Sequence, residues 1–258
     1  MKAIVQALIR ASRSLFERGI FWHLLWPGLL SMVLWTAIAI ASWGPLTEGV
    51  FVWVNGLPVV GSWLSASDAT AVVTLVLVKF TLALAFVPLI YLTAAILVAA
   101  FALPMMLERV ARRNYADLEQ RHGGTSLGSA WNSIAAGSIF VLLLLLSLPF
   151  WLIPGVGLLV TIALTGWLNQ RAFGYDALMI HADAAELLRL REDWRPQMLL
   201  LGASSALLAY VPILNLIAPA FAGLAFVHYL LDRLRQHRLD EGVSILDADA
   251  TTASGSLE

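Results

Sequence analysis

Hydrophobic residues in this chain are concentrated in four long stretches, residues 20–46, 72–103, 131–168 and 198–231. A membrane-spanning helix needs about 20 apolar residues, so the first two stretches each predict one transmembrane helix. The other two are interrupted near their middles by Pro149, Pro154, Gly155 and Gly157 and by Pro212, Asn215 and Pro219. Because proline lacks an N–H group and clashes with the preceding turn, we predict two helical arms in each, joined by tips within residues 148–157 and 211–219.

Arm length predicts how deeply each hairpin enters the membrane. The arms of the last stretch have about 12 or 13 residues, under ~20 Å of helix against a hydrocarbon core of about 30 Å, so they enter without crossing. The first arm of the third stretch has about 18 residues and could nearly span. Residues 173–190 have the pattern of a helix at the cytoplasmic membrane surface.

These patterns together predict an all-α integral membrane protein. It has two long transmembrane helices, two membrane-entering (re-entrant) helical hairpins and interfacial helices. The segment 240–258 is small, polar and acidic, which is typical of a disordered tail. Residues 1–239 are therefore predicted to form a single membrane domain.

The basic residues predict the orientation of the chain. Fifteen of its sixteen Lys and Arg residues lie outside the four apolar stretches, in segments that can all be placed on one side of a membrane. Cytoplasmic loops carry an excess of Lys and Arg, so both termini and residues 171–195 are predicted to be cytoplasmic. The connection 42–71 carries only Glu48 and Asp68 as charged residues and is predicted to be external.

Composition restricts the classes of function. The chain is 60% hydrophobic and 13% charged, whereas soluble proteins average about 25% charged residues. Its net charge of -1 and dispersed basic residues argue against nucleic acid as a partner, and the absence of cysteine excludes disulfides and thiolate chemistry. No enzyme motif is found, and His181 and Asp183 lack a further ligand at metal-site spacing, so we expect no catalysis, cofactor or metal.

The hairpin tips are the best candidates for a binding site. A half-helix that starts inside the membrane directs unpaired N–H groups and its positive dipole end into a low dielectric, which favours an anion. Gly155 and Gly157 would permit close backbone approach, and Asn215 could donate a hydrogen bond. The alternative is that these residues only turn the chain. Lys79, the one charge within an apolar stretch, either extends outward to the external interface or lines an anion route.

Local patterns give the chain a family resemblance. Four segments resemble the CysZ-like sulfate permeases and their relatives. They are Trp26-Pro27-Gly28-Leu29 at the opening of the first transmembrane helix, Phe101-Ala102-Leu103-Pro104 at the close of the second, residues 167–175 (WLNQRAFGY) and residues 211–219 (VPILNLIAP). The resemblance covers most of residues 5–232. It implies a multi-pass protein of the bacterial inner membrane, in contact with lipid, that forms homo-oligomers and supplies sulfate for cysteine biosynthesis.

One departure from the family pattern affects the substrate. In the sulfate permeases the Pro-Gly-Leu motif is followed by an arginine implicated in anion binding, whereas this chain has Leu30. Gly28 and Leu29 remain candidate anion-binding positions through their backbone amides. The competing hypothesis is a non-transporting membrane protein that uses its hairpins to organise lipid or a partner complex.

Overall fold

The computed structural model describes residues 1–58, 67–215 and 217–242. Within these ranges every regular element is helical and no strand occurs. Three of the described helices are long and apolar enough to cross a membrane, namely Gly19–Asn55, Asp68–Ala94 and Ser126–Leu146. The predicted all-α membrane class is therefore confirmed. Residues 243–258, most of the predicted tail, lie outside the described residues.

The chain divides into two compact units. Trp22–Ala102 forms one, which we name the two-helix unit, and Met1–Phe21 with Leu103–Glu258 forms the other, which we name the hairpin unit. The single membrane domain expected over residues 1–239 stays a prediction.

The two-helix unit consists of α2 (Arg18–Asn55, counted here from Trp22), α3 (Asp68–Leu97) and a five-residue π-helix, Val98–Ala102. The Ser31 hydroxyl donates to the carbonyl of Ile90 at 2.6 Å, and the Trp35 indole N–H donates to the Thr93 hydroxyl at 2.8 Å. Because early residues of α2 meet late residues of α3, the two helices run antiparallel. Hydrogen bonds of this kind join transmembrane helices that are otherwise in contact through apolar side chains.

Helix α2 is longer at both ends than the sequence predicts. The segment Trp26-Pro27-Gly28-Leu29 does not open it, since α2 begins at Arg18 and includes both Pro27 and Pro45. Beyond residue 46 the helix continues to Asn55, within the connection expected to be external. Each proline removes one backbone hydrogen bond, but apolar surroundings offer the remaining N–H and C=O groups no other partner, so the helix persists.

Eight helices are described in the hairpin unit: α1 (Lys2–Leu15), α4 (Leu103–Asn114), α5 (Ser126–Leu146), α6 (Val156–Asp176), α7 (Ala184–Asp193), α8 (Arg195–Ala206), α9 (Pro212–Asn215) and α10 (Ala218–Asp240). Helix α10 is the core helix, because almost every residue from Ala218 to Leu231 is buried. It contacts α1, α4, α6 and α8. Its burial explains why it shows no amphipathic pattern.

Both predicted helix breaks are present. A 3-10 helix, Leu148–Leu152, separates α5 from α6, and another, Leu207–Tyr210, precedes α9 between α8 and α10. Helices α5 and α6 have 21 residues each, or about 32 Å, which is long enough to cross the hydrocarbon core. Helix α8 has 12 residues, or about 18 Å. Re-entrant insertion of the hairpins stays a prediction.

The prediction of a single helix over residues 173–190 is wrong. Helix α6 ends at Asp176, and α7 begins only at Ala184. Asp183 starts α7 through a capping box: its carboxylate accepts the N–H groups of Ala185 and Glu186 at 2.8 Å, and the Glu186 carboxylate accepts the N–H of Asp183 at 2.8 Å. This cap satisfies the N–H groups of a new helix start, which outweighs continuation of α6.

Helices α6 and α8 cross at Gly166 and Gly202. A Cβ on Gly202 would lie 2.4 Å from the carbonyl oxygen of Gly166, and a Cβ on Gly166 would lie 2.8 Å from the backbone nitrogen of Ala203. The Asn169 amide donates to the Gly202 carbonyl at 3.2 Å. This backbone contact, made possible by two residues without side chains, holds the first hairpin against the second.

Candidate functional site

The hairpin unit contains a small cavity at the tip of the first hairpin, which we name the tip pocket. It has a volume of about 290 Å³. Its lining residues are Trp151, Ile153, Gly155, Gly157, Leu158, Thr161 and Tyr210. The pocket therefore contains two of the predicted site residues, Gly155 and Gly157, together with one residue of the second hairpin. Its size suits a small ligand rather than a large cofactor.

The N-terminus of α6 opens into this pocket without a cap. Gly155 is the N-cap residue and no side chain caps the helix. The Val156 N–H donates to the Ile153 carbonyl and the Leu159 N–H to the Gly155 carbonyl. The N–H groups of Gly157 and Leu158 have no hydrogen-bond partner among the described residues. Two adjacent free N–H groups at the positive end of a helix dipole favour a bound anion.

The two glycines of the tip have different physical roles. Gly155 has a φ of 82°, in the left-handed region, and a Cβ there would meet nothing within 4 Å, so its constraint is conformational. Gly157 is restricted by packing, because a Cβ would lie 2.9 Å from the Trp151 ring and 3.0 Å from its Cα. Thus Gly155 turns the chain into α6, and Gly157 allows the Trp151 ring to lie against the first turn of the helix.

The second hairpin contributes Tyr210 to the tip pocket rather than Asn215. Tyr210 ends the 3-10 helix of that hairpin and is 48% exposed. Asn215 ends α9, its backbone N–H donates to the Val211 carbonyl at 2.8 Å, and its side chain is exposed. Asn215 is not among the residues that line the pocket. Its role as an anion donor stays a prediction.

Lys79 lines a separate cleft, within the two-helix unit. This cleft has a volume of about 520 Å³ and is lined by Trp43, Thr47, Glu48, Phe51, Leu75 and Lys79, among others. Lys79 is exposed, and in the described part of the chain it forms no ion pair with Glu48 or any other carboxylate. Both Lys79 and Glu48, the acidic residue of this part of α2, line the cleft. That Lys79 extends outward to the external interface, or that it lines an anion route, stays a prediction.

Gly28 and Leu29 lie well inside α2, which begins at Arg18. N–H groups in a helix interior donate to carbonyls four residues earlier, so these two amides differ from the free ones at the start of α6. Leu29 and Leu30 are about half exposed, and a Cβ on Gly28 would meet nothing within 4 Å. The part of these residues in anion binding stays a prediction.

A buried ion pair joins Glu186 of α7 to Arg238 of α10, and we name the region around it the polar end of the hairpin unit. The Arg238 guanidinium, only 3% exposed, donates to both carboxylate oxygens of Glu186 at 2.9 and 3.0 Å. It also donates to the backbone carbonyls of Glu119 and His181. Burial alone would raise the pKa of Glu186, but the hydrogen bonds from Arg238 and from the Asp183 N–H lower it. The pKa of His181 is lowered by its burial and by Arg238, which favours a neutral imidazole.

A buried Ser-His contact links α1 to α10. Ser14 Oγ lies 3.0 Å from His228 Nε2, and the Tyr115 hydroxyl lies 3.1 Å from His228 Nδ1. A nucleophile and base could be arranged in this way, but all three side chains are at most 3% exposed, so no substrate can reach them. We therefore interpret the contact as packing. Among the described residues no group of acidic residues and histidines could hold a metal ion.

Sequence reasoning missed five residues of the tip pocket, namely Trp151, Ile153, Leu158, Thr161 and Tyr210. Trp151 lies between Pro149 and Pro154 within the predicted tip, and this position was the one sequence signal that could have identified it. Thr161 donates its hydroxyl to the Gly157 carbonyl at 2.8 Å, a contact within the helix that leaves no pattern. Tyr210 reaches the pocket through tertiary packing alone.

The fold and the tip pocket define a class of protein: an all-α multi-pass membrane protein with a helix break that presents free N–H groups. The chain belongs to the family described as Sulfate transporter CysZ/Etoposide-induced protein 2.4, whose model matches residues 7–219. No curated protein and no solved structure matches the chain. The resemblance inferred from the motifs is thus confirmed, and the family is one of sulfate transporter-like membrane proteins.

Proposed function

We propose that this protein is a permease or channel that conducts sulfate, with the tip pocket as its anion-binding site. One observation carries the proposal: the N–H groups of Gly157 and Leu158 are unpaired and belong to residues that line the pocket at the N-terminus of α6. Hydrogen bonds to a charged oxygen are stronger than those between neutral groups, and a sulfate ion can accept from several donors at once. The pocket thus replaces part of the hydration of the anion without a fixed positive charge.

The proposal extends to the setting of transport. The family supports a sulfate substrate, and in a bacterial inner membrane such a protein supplies sulfate for cysteine biosynthesis. The chain carries no phosphate-binding glycine loop, so transport is driven by a gradient rather than by ATP bound to this chain. The absence of a lining arginine or lysine in the pocket favours passage over retention, because a strongly held dianion would leave slowly.

Radiolabelled sulfate flux in proteoliposomes tests the proposal, with a pair of variants at one position. Leu158→Pro removes one free N–H group, and proline is tolerated in the first helical turn, where that group has no intrahelical partner. Leu158→Ala keeps the N–H and removes only the side chain. Loss of a hydrogen bond to a charged group costs about 1.5–3 kcal/mol, so we expect sulfate affinity to fall at least about tenfold in Leu158→Pro only.

The two variants separate the outcomes. Flux of wild-type magnitude in folded Leu158→Pro protein would show that the anion does not use these amides. Equal losses in both variants would assign the effect to the leucine side chain. The melting temperature of each purified variant, measured in detergent, establishes that it is folded.

A second candidate function, organisation of lipid by a non-transporting protein, is favoured by the apolar surface around the tip. Leu152 is 86% exposed and Ile153 is 53% exposed. Exposed apolar groups at a hairpin end would perturb acyl chains as a wedge. This hypothesis predicts no sulfate flux by the wild-type protein and a change in the acyl-chain order of vesicles that contain it.

A further inference from the structure

The C-terminal half of α6 carries arginine and aromatic side chains in alternation. Trp167, Arg171 and Tyr175 are spaced four residues apart, so they lie on one face of the helix. The Arg171 guanidinium carbon lies 5.9 Å from the centre of the Trp167 ring. Arg191, at the end of α7, places its guanidinium carbon 5.6 Å from the centre of the Tyr175 ring. Two guanidinium groups therefore lie along a single row with two rings.

The charges of Arg171 and Arg191 are only partly balanced by nearby carboxylates. Among the described residues Arg171 and Arg191 form no ion pair within 4 Å, in contrast with seven other arginines, which are Arg10, Arg112, Arg113, Arg121, Arg189, Arg235 and Arg238. The carboxylate that faces Arg191 is Asp176, and it accepts a hydrogen bond from Ser129 instead. The two positive charges of Arg171 and Arg191 thus outnumber the single negative charge of Asp176.

The position of the Tyr175 ring is fixed by the residues around the start of α5. The Tyr175 hydroxyl accepts the Thr125 N–H at 3.2 Å, and a Cβ on Gly124 or Gly128 would lie 2.9 or 2.6 Å from that hydroxyl. Arg191 is therefore stacked on a ring that cannot easily turn away. Burial first, and the charge of Arg171 second, lower the pKa of Arg191, in agreement with the placement of both guanidinium groups along one row of rings.

We propose that Arg171 and Arg191 together bind a tetrahedral oxyanion, either the phosphate of an anionic lipid headgroup or free sulfate or phosphate. Planar guanidinium groups match such oxygens with paired hydrogen bonds, and a bound anion removes the repulsion between the two cations. Stacking on Trp167 and Tyr175 holds the guanidinium groups in place, which reduces the entropy lost on binding. The site lies at the end of α6 opposite the tip pocket and does not depend on the proposed transport function.

Direct binding to the full-length protein in detergent tests the site. Isothermal titration with sodium sulfate and with sodium phosphate measures the free anions, and native mass spectrometry with phosphatidylglycerol or phosphatidylcholine measures lipid. The test variant is Arg171→Gln with Arg191→Gln. Its matched control is Arg13→Gln, which removes an exposed arginine of α1 that forms no ion pair among the described residues.

We expect the double variant to bind at least about tenfold more weakly than wild type and the Arg13 variant to bind as wild type does. A loss confined to phosphatidylglycerol identifies a lipid site, and a loss confined to sulfate or phosphate identifies a free-anion site. Unchanged binding of every probe by the double variant overturns the proposal. If that variant does not fold, Arg171→Gln and Arg191→Lys replace it, with a loss expected for the first and partial retention for the second. Sulfate titrations are also carried out on Leu158→Pro protein with and without the two arginine substitutions, so that sulfate bound at the tip pocket is measured separately from sulfate bound at this site.

Discussion

Substitution of Gly202 by alanine tests how the two hairpins are held together. The added methyl would lie 2.4 Å from the Gly166 carbonyl oxygen, and a backbone oxygen cannot rotate away as a side chain can. Overpacking of this kind costs about 3 kcal/mol at the upper end of its usual range. Separation of the helices also weakens the Asn169 hydrogen bond to the Gly202 carbonyl, at about 1 kcal/mol. Alanine has a higher helix propensity than glycine, which offsets about 1 kcal/mol of this destabilisation.

The net destabilisation is therefore about 3 kcal/mol, which for a chain of this size lowers the melting temperature by roughly 6–12 °C. Thermal unfolding in detergent measures it. The matched control is Gly137→Ala in α5, where a Cβ meets nothing within 4 Å and which should be neutral or slightly stabilising. Because the α6–α8 contact also brings Tyr210 to the tip pocket, sulfate flux should fall with stability. A Gly202→Ala protein as stable as wild type would refute the inferred backbone contact.

Three further predictions concern the hairpin unit, and the first two concern its polar end. Glu186→Ala leaves the buried Arg238 without its carboxylate and should cost about 3–5 kcal/mol in thermal unfolding, whereas the exposed control Glu192→Ala should cost little. Folding lowers the pKa values of Glu186 and Asp183, so both carboxylates stabilise the folded protein fully near neutral pH. This stabilisation is lost as the pH falls below 4.5 towards the folded-state pKa values. The melting temperature should therefore fall in that pH range. A cysteine at Gln170 should react with maleimide only from the cytoplasmic side, and labelling from the outside alone would contradict the two-hairpin topology.

The helix breaks could be predicted because their causes are local. Pro149, Pro154 and Gly155 interrupt an apolar stretch that is too long for one helix, and the structure ends α5 and starts α6 around them. The start of α7 was missed because its cause is a specific pair of side chains. Asp183 and Glu186 form a capping box within a segment whose hydrophobic pattern suited a continuous helix. Periodicity averages over a window, so it does not detect one strong terminal signal.

The site was only partly predictable for the same reason. That a half-helix start should favour an anion follows from the sequence, since a proline and glycine pair within an apolar stretch exposes N–H groups. Which N–H groups stay free could not be predicted. Val156 satisfies its own with the Ile153 carbonyl through the turn geometry, whereas Gly157 and Leu158 do not. Tyr210 lies in the same pocket because Gly166 and Gly202 let α6 and α8 approach each other. This contact joins residues that are distant along the chain.

The turn at the first hairpin tip and the proposed anion-binding site depend on the same features of the chain. The positive φ of Gly155 directs the chain into α6 without a side-chain cap, and the absence of that cap is what leaves the next N–H groups free. The Trp151 ring then packs against Gly157 in the first helical turn. A capping serine or aspartate needs an extended backbone, and the φ of 82° at Gly155 would strain either residue, so no side chain caps α6 here. The N–H groups of Gly157 and Leu158 therefore stay unpaired in a largely apolar pocket, which costs stability unless a ligand accepts from them.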